Sequence, residues 1–218
     1  MISDERITTY IHSLESPESG IIERIEQEAL EQSVPIIRKE TQSFLKVLMT
    51  AKKPRRVLEI GTAVGFSAIL MCEYMPEDGH VTTIENYRRR IFAARENFRR
   101  AGVEGRVTLL EGDALDVMKT LEGNYDFIFM DAAKGQYIHY LPEAMRLLEP
   151  GGMMMTDNVL QDGDVIESRF AVERRNRTIH SRMREFLYEL KHADCLQTSI
   201  IPLGDGVALS VKKERKEE

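Results

Sequence analysis

Asp131, Asp157 and Asn158 are three oxygen donors at the ends of two apolar, strand-like runs, YDFIFMDA and MMMTDNV. Hard cations such as Mg²⁺, Mn²⁺ or Ca²⁺ take carboxylate, amide and water oxygens. Mg²⁺ keeps several waters that a substrate can displace, so the set suits an open metal site. An Asp-Asn capping turn after a strand would use the same residues structurally. Lys134 follows Asp131 by three residues in DAAKGQY. Beside a metal it could take a proton from a substrate hydroxyl; in an open loop it would be a surface lysine.

A second chemistry-bearing stretch is RVLEIGTAVGFS, residues 56 to 67. Its apolar run ends at Gly61, small residues lead through Gly65, and an apolar helical pattern starts at Ser67, which reads as strand, tight turn, helix. Glycines at such a junction let the backbone approach a ligand, and the open amides of the helix favour polar groups. The spacing fits neither the dinucleotide fingerprint nor a P-loop. Glu59, at the end of the strand, would repel a pyrophosphate but suits a positively charged ligand such as a sulfonium. Glu85, closing VTTIE, stands where α/β folds place the acid that accepts from a ribose. With Asp113 in EGDAL, Asp131 and Asp157, it makes a series of acids at successive strand ends, where open α/β sheets bind ligands. Asp113 or Asp157 alone would equally serve as a helix N-cap.

The elements that must position these groups follow from the pattern. Residues 3 to 50 have helical periodicity in three pieces, broken at Ser16-Pro17 and around Ser33-Val34-Pro35. From Arg56 onward strands and helices alternate, which specifies a mostly parallel sheet with helices on both faces. After Asn158 a polar stretch leads to a long charged helix ending near Lys191. LQTSIIPL and VALSVKK, joined by Gly204-Asp205-Gly206, complete seven strands as a C-terminal antiparallel hairpin. The expected fold is one α/β domain over residues 1–218, with residues 1–50 a helical N-terminal extension.

The chain has 218 residues, 42% hydrophobic and 30% charged, with net charge −6. This suits a globular protein with a full core, and a coat of positive charge is excluded while a local basic patch is not. Cys72 and Cys195 have no metal or redox spacing and are expected in the core of a protein from a reducing compartment. MISDERITTY lacks the pattern of a signal peptide and no apolar run is long enough to span a bilayer, so a cytoplasmic location and no membrane partner are expected. The five histidines are scattered, without ligand spacing. RFAVERRNRTIHSRMR, residues 169 to 184, carries six arginines against one glutamate; such a run either binds phosphates or forms a solvated helix face.

LEIGTAVGFSA, TTIE, EGDAL, DAAKGQY and TDNVL, behind a helical preface with VPI, resemble the cation-dependent O-methyltransferase family of the caffeoyl-coenzyme A and catechol type, from about Thr8 to Lys212. VPI, DAAKGQY and the arginine-rich helix before IIPLGDGVALS are similar to its branch acting on tRNA, which converts wobble 5-hydroxyuridine to 5-methoxyuridine. The resemblance implies a Rossmann-like class I methyltransferase fold and S-adenosylmethionine over the strand ends. Glu85 would then meet the ribose, Asp113 and Ala114 the adenine, and Ile37, Gly61, Ser67 and Asp131 the rest of the cofactor, with Glu59 nearby. It also implies a divalent cation, Mg²⁺ before Mn²⁺ or Ca²⁺, on Asp131, Asp157 and Asn158, with Lys134 as base. Homodimers are usual in the family. The sequence departs from many relatives at Gln161 and Asp162, in a loop that borders the acceptor.

A catechol offers a metal two adjacent oxygens, and 5-hydroxyuridine does so through its 5-hydroxyl and 4-carbonyl. The site chemistry fits both; the resemblance to the tRNA branch and the arginine run make the tRNA anticodon loop, gripped by Arg174, Arg175 and Arg177, the expected acceptor, with a small catechol as the alternative. A non-catalytic cofactor-binding protein is the reading from another class, disfavoured by the presence of the metal set and Lys134 together.

Overall fold

The computed structural model describes residues 5–18 and 20–214. Residues 3 and 4 of the helical preface and the end of the charged tail lie outside them. Three helices open the chain: α1 (Glu5–Ser13), α2 (Gly20–Glu31) and α3 (Lys39–Lys52). Pro17 and Pro35 lie in the connections, where a missing N–H costs no helical hydrogen bond. There follow β1 (Arg56–Ile60), α4 (Phe66–Tyr74), β2 (His80–Glu85), α5 (Arg88–Arg100), β3 (Val107–Glu111), α6 (Ala114–Thr120), β4 (Tyr125–Met130), α7 (Tyr137–Leu147) and β5 (Leu148–Thr156). The chain continues through α8 (Arg177–His192), β6 (Leu196–Ile201) and β7 (Val207–Lys212).

The seven strands pair in the order β3-β2-β1-β4-β5-β7-β6. The first five run parallel, and β7 is antiparallel to both β5 and β6. Side chains alternate across a strand, and the core divides accordingly. Val57, Phe127 and Phe129 pack with Leu45, Phe66 and Phe98 of α3, α4 and α5. Leu58, Ile60, Ile128 and Met130 pack with Leu141, Met183 and Phe186 of α7 and α8. Strands covered on both faces read as continuous apolar runs, which is why RVLEI and YDFIFM are legible as central strands. Glu59 shares its parity with Val57, so its carboxylate is sent to the α4 face.

After β5 the chain makes 3-10 turns over residues 161–166 in place of a helix, with Gln161, Asp162 and Gly163 all left-handed at φ 51°, 51° and 98°. The β6–β7 connection, residues 202–206, is longer than the Gly-Asp-Gly turn expected of the hairpin and docks on this loop. Val159 N donates to Gly206 O at 3.0 Å and Leu160 N to Asp205 O at 2.9 Å. A Cβ on Gly206 would lie 2.3 Å from Leu160 Cγ, so only glycine permits the approach. Cys72 is buried as expected, its thiol pushed up to about 12 by burial. Cys195 is exposed, which corrects its assignment to the core; it follows α8 just before the edge strand β6. No helix of the described residues is long and apolar enough to cross a membrane.

Candidate active site

A cavity of about 620 Å³ opens at the carboxyl ends of the parallel strands. It lies at the switch point between β1 and β4, where the chain leaves the sheet in opposite directions and a crevice must form. Gly61, with φ 100°, ends β1 here. A Cβ at this position would fall 2.1 Å from Asp131 O, so the two strand ends touch only because residue 61 has no side chain. Gly65, at φ 83°, starts α4 against the Phe98 ring, 2.5 Å from where its Cβ would be.

Glu85, 8% exposed, lines the cavity and is aimed by backbone alone. One oxygen accepts from Ala63 N at 2.9 Å; the other accepts from Asn86 N at 3.0 Å and Tyr87 N at 2.9 Å. A carboxylate has about four lone-pair sites, so acceptor capacity toward a ligand remains. Gly112 and Ala114 line the same end. Asp113 does not; its Oδ1 caps α6, accepting from Leu115 N at 3.0 Å and Asp116 N at 3.4 Å. Of its two sequence readings, the capping one is realised.

Glu59, expected near the cofactor, lies behind the cavity wall and does not line it. It is fully buried below the cavity and accepts from Ser67 Oγ and Thr83 Oγ1, both at 2.5 Å. Burial pushes its carboxyl up to about 7 against those hydrogen bonds, with Asp131 and Glu85 raising it further. Ser67 itself lines the cavity, so Glu59 acts by holding Ser67. Ile37 lines it from the preface, its carbonyl tied by Gln42 Nε2 at 2.9 Å while the same amide reaches the buried Glu26 at 2.9 Å.

At the other end the structure brings Asp131, Asp157, Asn158 and Lys134 together. Asp131 follows β4; burial pushes its carboxyl up to about 6, with Lys134 and Arg90 opposing. Asp157 follows β5; burial and the charge of Asp131 push it up to about 7, while hydrogen bonds from Asn158 pull down. Asp157 Oδ1 accepts from Asn158 N at 2.8 Å, but its buried Oδ2 has no partner among the described residues. Asn158, left-handed at φ 60°, reaches the cavity. Two crowded carboxylates, one with an orphaned oxygen, beside an amide are the donor set that a hard cation satisfies. No group of three or more His, Cys, Asp or Glu suited to a metal exists among the described residues, and the third protein ligand here would be an amide.

Three residues here escaped sequence reasoning. Tyr137, fully buried, accepts from Ala132 N and donates to Asp157 O, both at 3.2 Å, fastening the two donor loops together. Its only signal was its place in DAAKGQY. Asp205, 4% exposed, holds Lys134 Nζ at 3.0 Å and accepts from Asp162 N. A carboxylate is therefore the neighbour of Lys134. Arg38 lines the mouth and reaches Asp162 Oδ1 at 3.0 Å.

The arginine run divides. Arg177 donates to Val172 O at 3.2 Å and Phe170 O at 3.3 Å, Arg182 to Gly135 O at 3.0 Å and Arg184 to Val165 O at 2.9 Å. These three pin loops to α8, so two guanidinium nitrogens of Arg177, expected to meet phosphate, are engaged within the protein. Arg175 pairs with Glu173 at 2.7 Å, while Arg169 and Arg174 are exposed.

Residues 12–213 match the model of the O-methyltransferase family. The chain belongs to this family. Among its curated relatives, catechol O-methyltransferase of Mycobacterium tuberculosis is 40% identical over 124 residues, 56% of this chain and 56% of the relative. Caffeoyl-CoA O-methyltransferase 2 of Populus trichocarpa is 30% identical over 176 residues, 76% of this chain and 70% of the relative. The match spans only 56 to 58% of the length of the two catechol O-methyltransferases compared. The solved O-methyltransferase of Bacillus cereus, in complex with SAH, superposes with a TM-score of 0.84 at 26% identity, over 95% of this chain and 97% of that one. The fold described above is therefore shared with a solved O-methyltransferase over nearly the whole of both chains.

Proposed function

We propose that this chain transfers a methyl group from S-adenosylmethionine to a hydroxyl of a small aromatic acceptor bearing two adjacent oxygens, of the catechol or caffeoyl type, with a divalent cation. The observation that carries the reading is the convergence on one cavity of the Gly61 junction and Glu85 at one end with Asp131, Asn158 and Lys134 at the other, while Asp157, fully buried behind Asn158, holds an oxygen with no partner among the described residues. The named relatives act as catechol and caffeoyl-CoA enzymes, and related structures hold SAH or SAM.

In this reading Glu85 accepts hydrogen bonds from the ribose, Gly112 and Ala114 border the adenine, and Ile37, Gly61 and Ser67 bound the methionine portion. Asp131, Asp157 and Asn158 would hold the cation, Mg²⁺ before Mn²⁺ or Ca²⁺. When bound, it supplies Lewis acidity that lowers the pKa of the acceptor hydroxyl. Lys134 Nζ, fixed by Asp205, either takes the hydroxyl proton as a free amine or steadies the oxyanion as an ammonium. Tyr137 keeps the two donor loops in register, and fixing acceptor and donor in line removes much of the entropic barrier.

The tRNA wobble position is the second reading. Exposed Arg169 and Arg174, close in sequence to the cavity-lining Asp162, favour it, but the loops held by Arg177, Arg182 and Arg184 leave a smaller basic footprint than the composition promised. The test is methyl transfer from labelled cofactor to a catechol panel and to tRNA bearing 5-hydroxyuridine, with Mg²⁺ or with chelator. Magnesium-dependent methylation of catechols alone is expected. Formation of 5-methoxyuridine with no catechol turnover would replace the small-molecule reading, and full activity in chelator would remove the cation.

A further inference from the structure

Arg38 occupies a position that helix stability does not explain. It is the N-cap of α3, extended at φ −65° and ψ 154°, and its side chain makes no capping hydrogen bond. Ser, Thr, Asp or Asn there would satisfy an orphan amide, and their absence is a cost to the helix. The Arg38 carbonyl is nevertheless fixed by Gln42 N at 2.8 Å, so the side chain leaves α3 in a set direction, across the mouth of the cavity.

What it meets is Asp162, through a single hydrogen bond from one guanidinium nitrogen at 3.0 Å. The side chains are 38% and 59% exposed, and an ion pair so open to solvent contributes little to stability. A guanidinium carries five N–H donors in a fork that fits a carboxylate or phosphate in two-point fashion. Among the described residues the Arg38 side chain makes this one hydrogen bond, with Asp205 and Glu40 acting on its charge from further off, so most of its donor fork is open. The partner is also held at some cost, since Gln161 and Asp162 are consecutive non-glycine residues in the left-handed region. The other cations lining the cavity face acids deeper within: Lys134 contacts Asp205, and Arg90 acts on Asp131. Arg38 alone of the three meets an exposed, weakly bound carboxylate at the rim.

We infer that Arg38 is a specificity-determining residue that recognises an anionic group carried by the acceptor away from its two adjacent oxygens, with Asp162 as the carboxylate it exchanges for that group. The inference rests on the proposed methyl transfer to a vicinal-oxygen acceptor and adds that the acceptor is negatively charged. A ring carboxylate and a phosphate share this chemistry. Asp162, one of the two departures in QDGDV, is thus the residue that Arg38 meets 124 positions earlier in the chain.

The test compares 3,4-dihydroxybenzoate with its neutral methyl ester and with 3,4-dihydroxyphenyl phosphate. Each is titrated calorimetrically into protein loaded with Mg²⁺ and S-adenosylhomocysteine, and each is assayed for methyl transfer. Wild type is expected to bind at least one anionic catechol about tenfold or more tightly than the ester, and the better anion tells carboxylate from phosphate. Arg38→Gln should erase that preference by raising KM for the anionic catechols, whereas Asp162→Asn should strengthen it. Equal binding of anions and ester in wild type, a preference that survives Arg38→Gln, or weakened binding of the cofactor in its place, would overturn the inference. If the anion preference depends on Arg38 but no catechol is methylated, the proposed reaction fails and the recognition stands. If acid and ester are methylated alike by both proteins, the reaction stands and the recognition fails.

Discussion

The two ends of the cavity are built by different means. At the Glu85 end, the carboxylate is aimed by three backbone amides, and the β1 turn is closed by a glycine against Asp131 O. At the Lys134 end, orientation passes through side chains on loops: Lys134 to Asp205, Asp205 to the backbone of Asp162, Asp162 to Arg38. Backbone geometry tolerates little sequence change, whereas an ion-paired loop can exchange residues without disturbing the sheet. The contrast suits one end to a constant ligand and the other to an acceptor that differs among relatives.

The largest expected effect falls on the side-chain-built end. Asp157→Ala should lower turnover about 100-fold or more, because losing even an outer-shell metal partner typically costs 10- to 100-fold. It should also abolish the rise in melting temperature that wild type shows with Mg²⁺. Calorimetry with and without the cation checks both; a retained Mg²⁺ shift would move the cation elsewhere.

Glu59 tests whether the backbone-built end rests on a buried acid. Its folded pKa, about 7, is raised above the ordinary 4.5. Its contribution to stability is thus fully present below pH 4.5 and is lost as pH rises through 7, because the folded state binds the extra proton between those values. Glu59→Gln keeps hydrogen bonds to Ser67 and Thr83 but removes the titration. Denaturation from pH 4.5 to 8 should show the variant gaining on wild type by up to roughly 3 kcal/mol. Parallel curves would mean that Glu59 stays ionised in the fold.

Glu85→Ala should weaken cofactor binding by about 1.5–3 kcal/mol, the range for a charged hydrogen-bond acceptor. Titration calorimetry reads it, and an unchanged Kd would separate Glu85 from the ligand. The smallest effect belongs to Asp113→Ala: loss of an N-cap, about 1 kcal/mol of stability, with cofactor affinity unaltered. A large loss of affinity there would restore Asp113 to the binding surface.

Local pattern determined much of this protein. Periodicity distinguished helix from strand at nearly every element from α1 to β7, since burial on one helical face or on both strand faces marks the sequence directly. The Gly61 junction and the acids at the strand ends were legible for the same reason: a parallel α/β sheet puts every strand's carboxyl end on one edge. What local pattern could not supply was direction and pairing. Whether Glu59 points into the cavity or beneath it depends on strand parity against α4 and on Ser67 and Thr83 being in reach. Whether Asp113 caps or binds depends on where α6 begins. Lys134 finds Asp205 across 71 positions and Arg38 finds Asp162 across 124, and three of the six arginines turn inward onto loop carbonyls. These are contacts between segments brought together only by the closed sheet, and no periodicity within a segment encodes them.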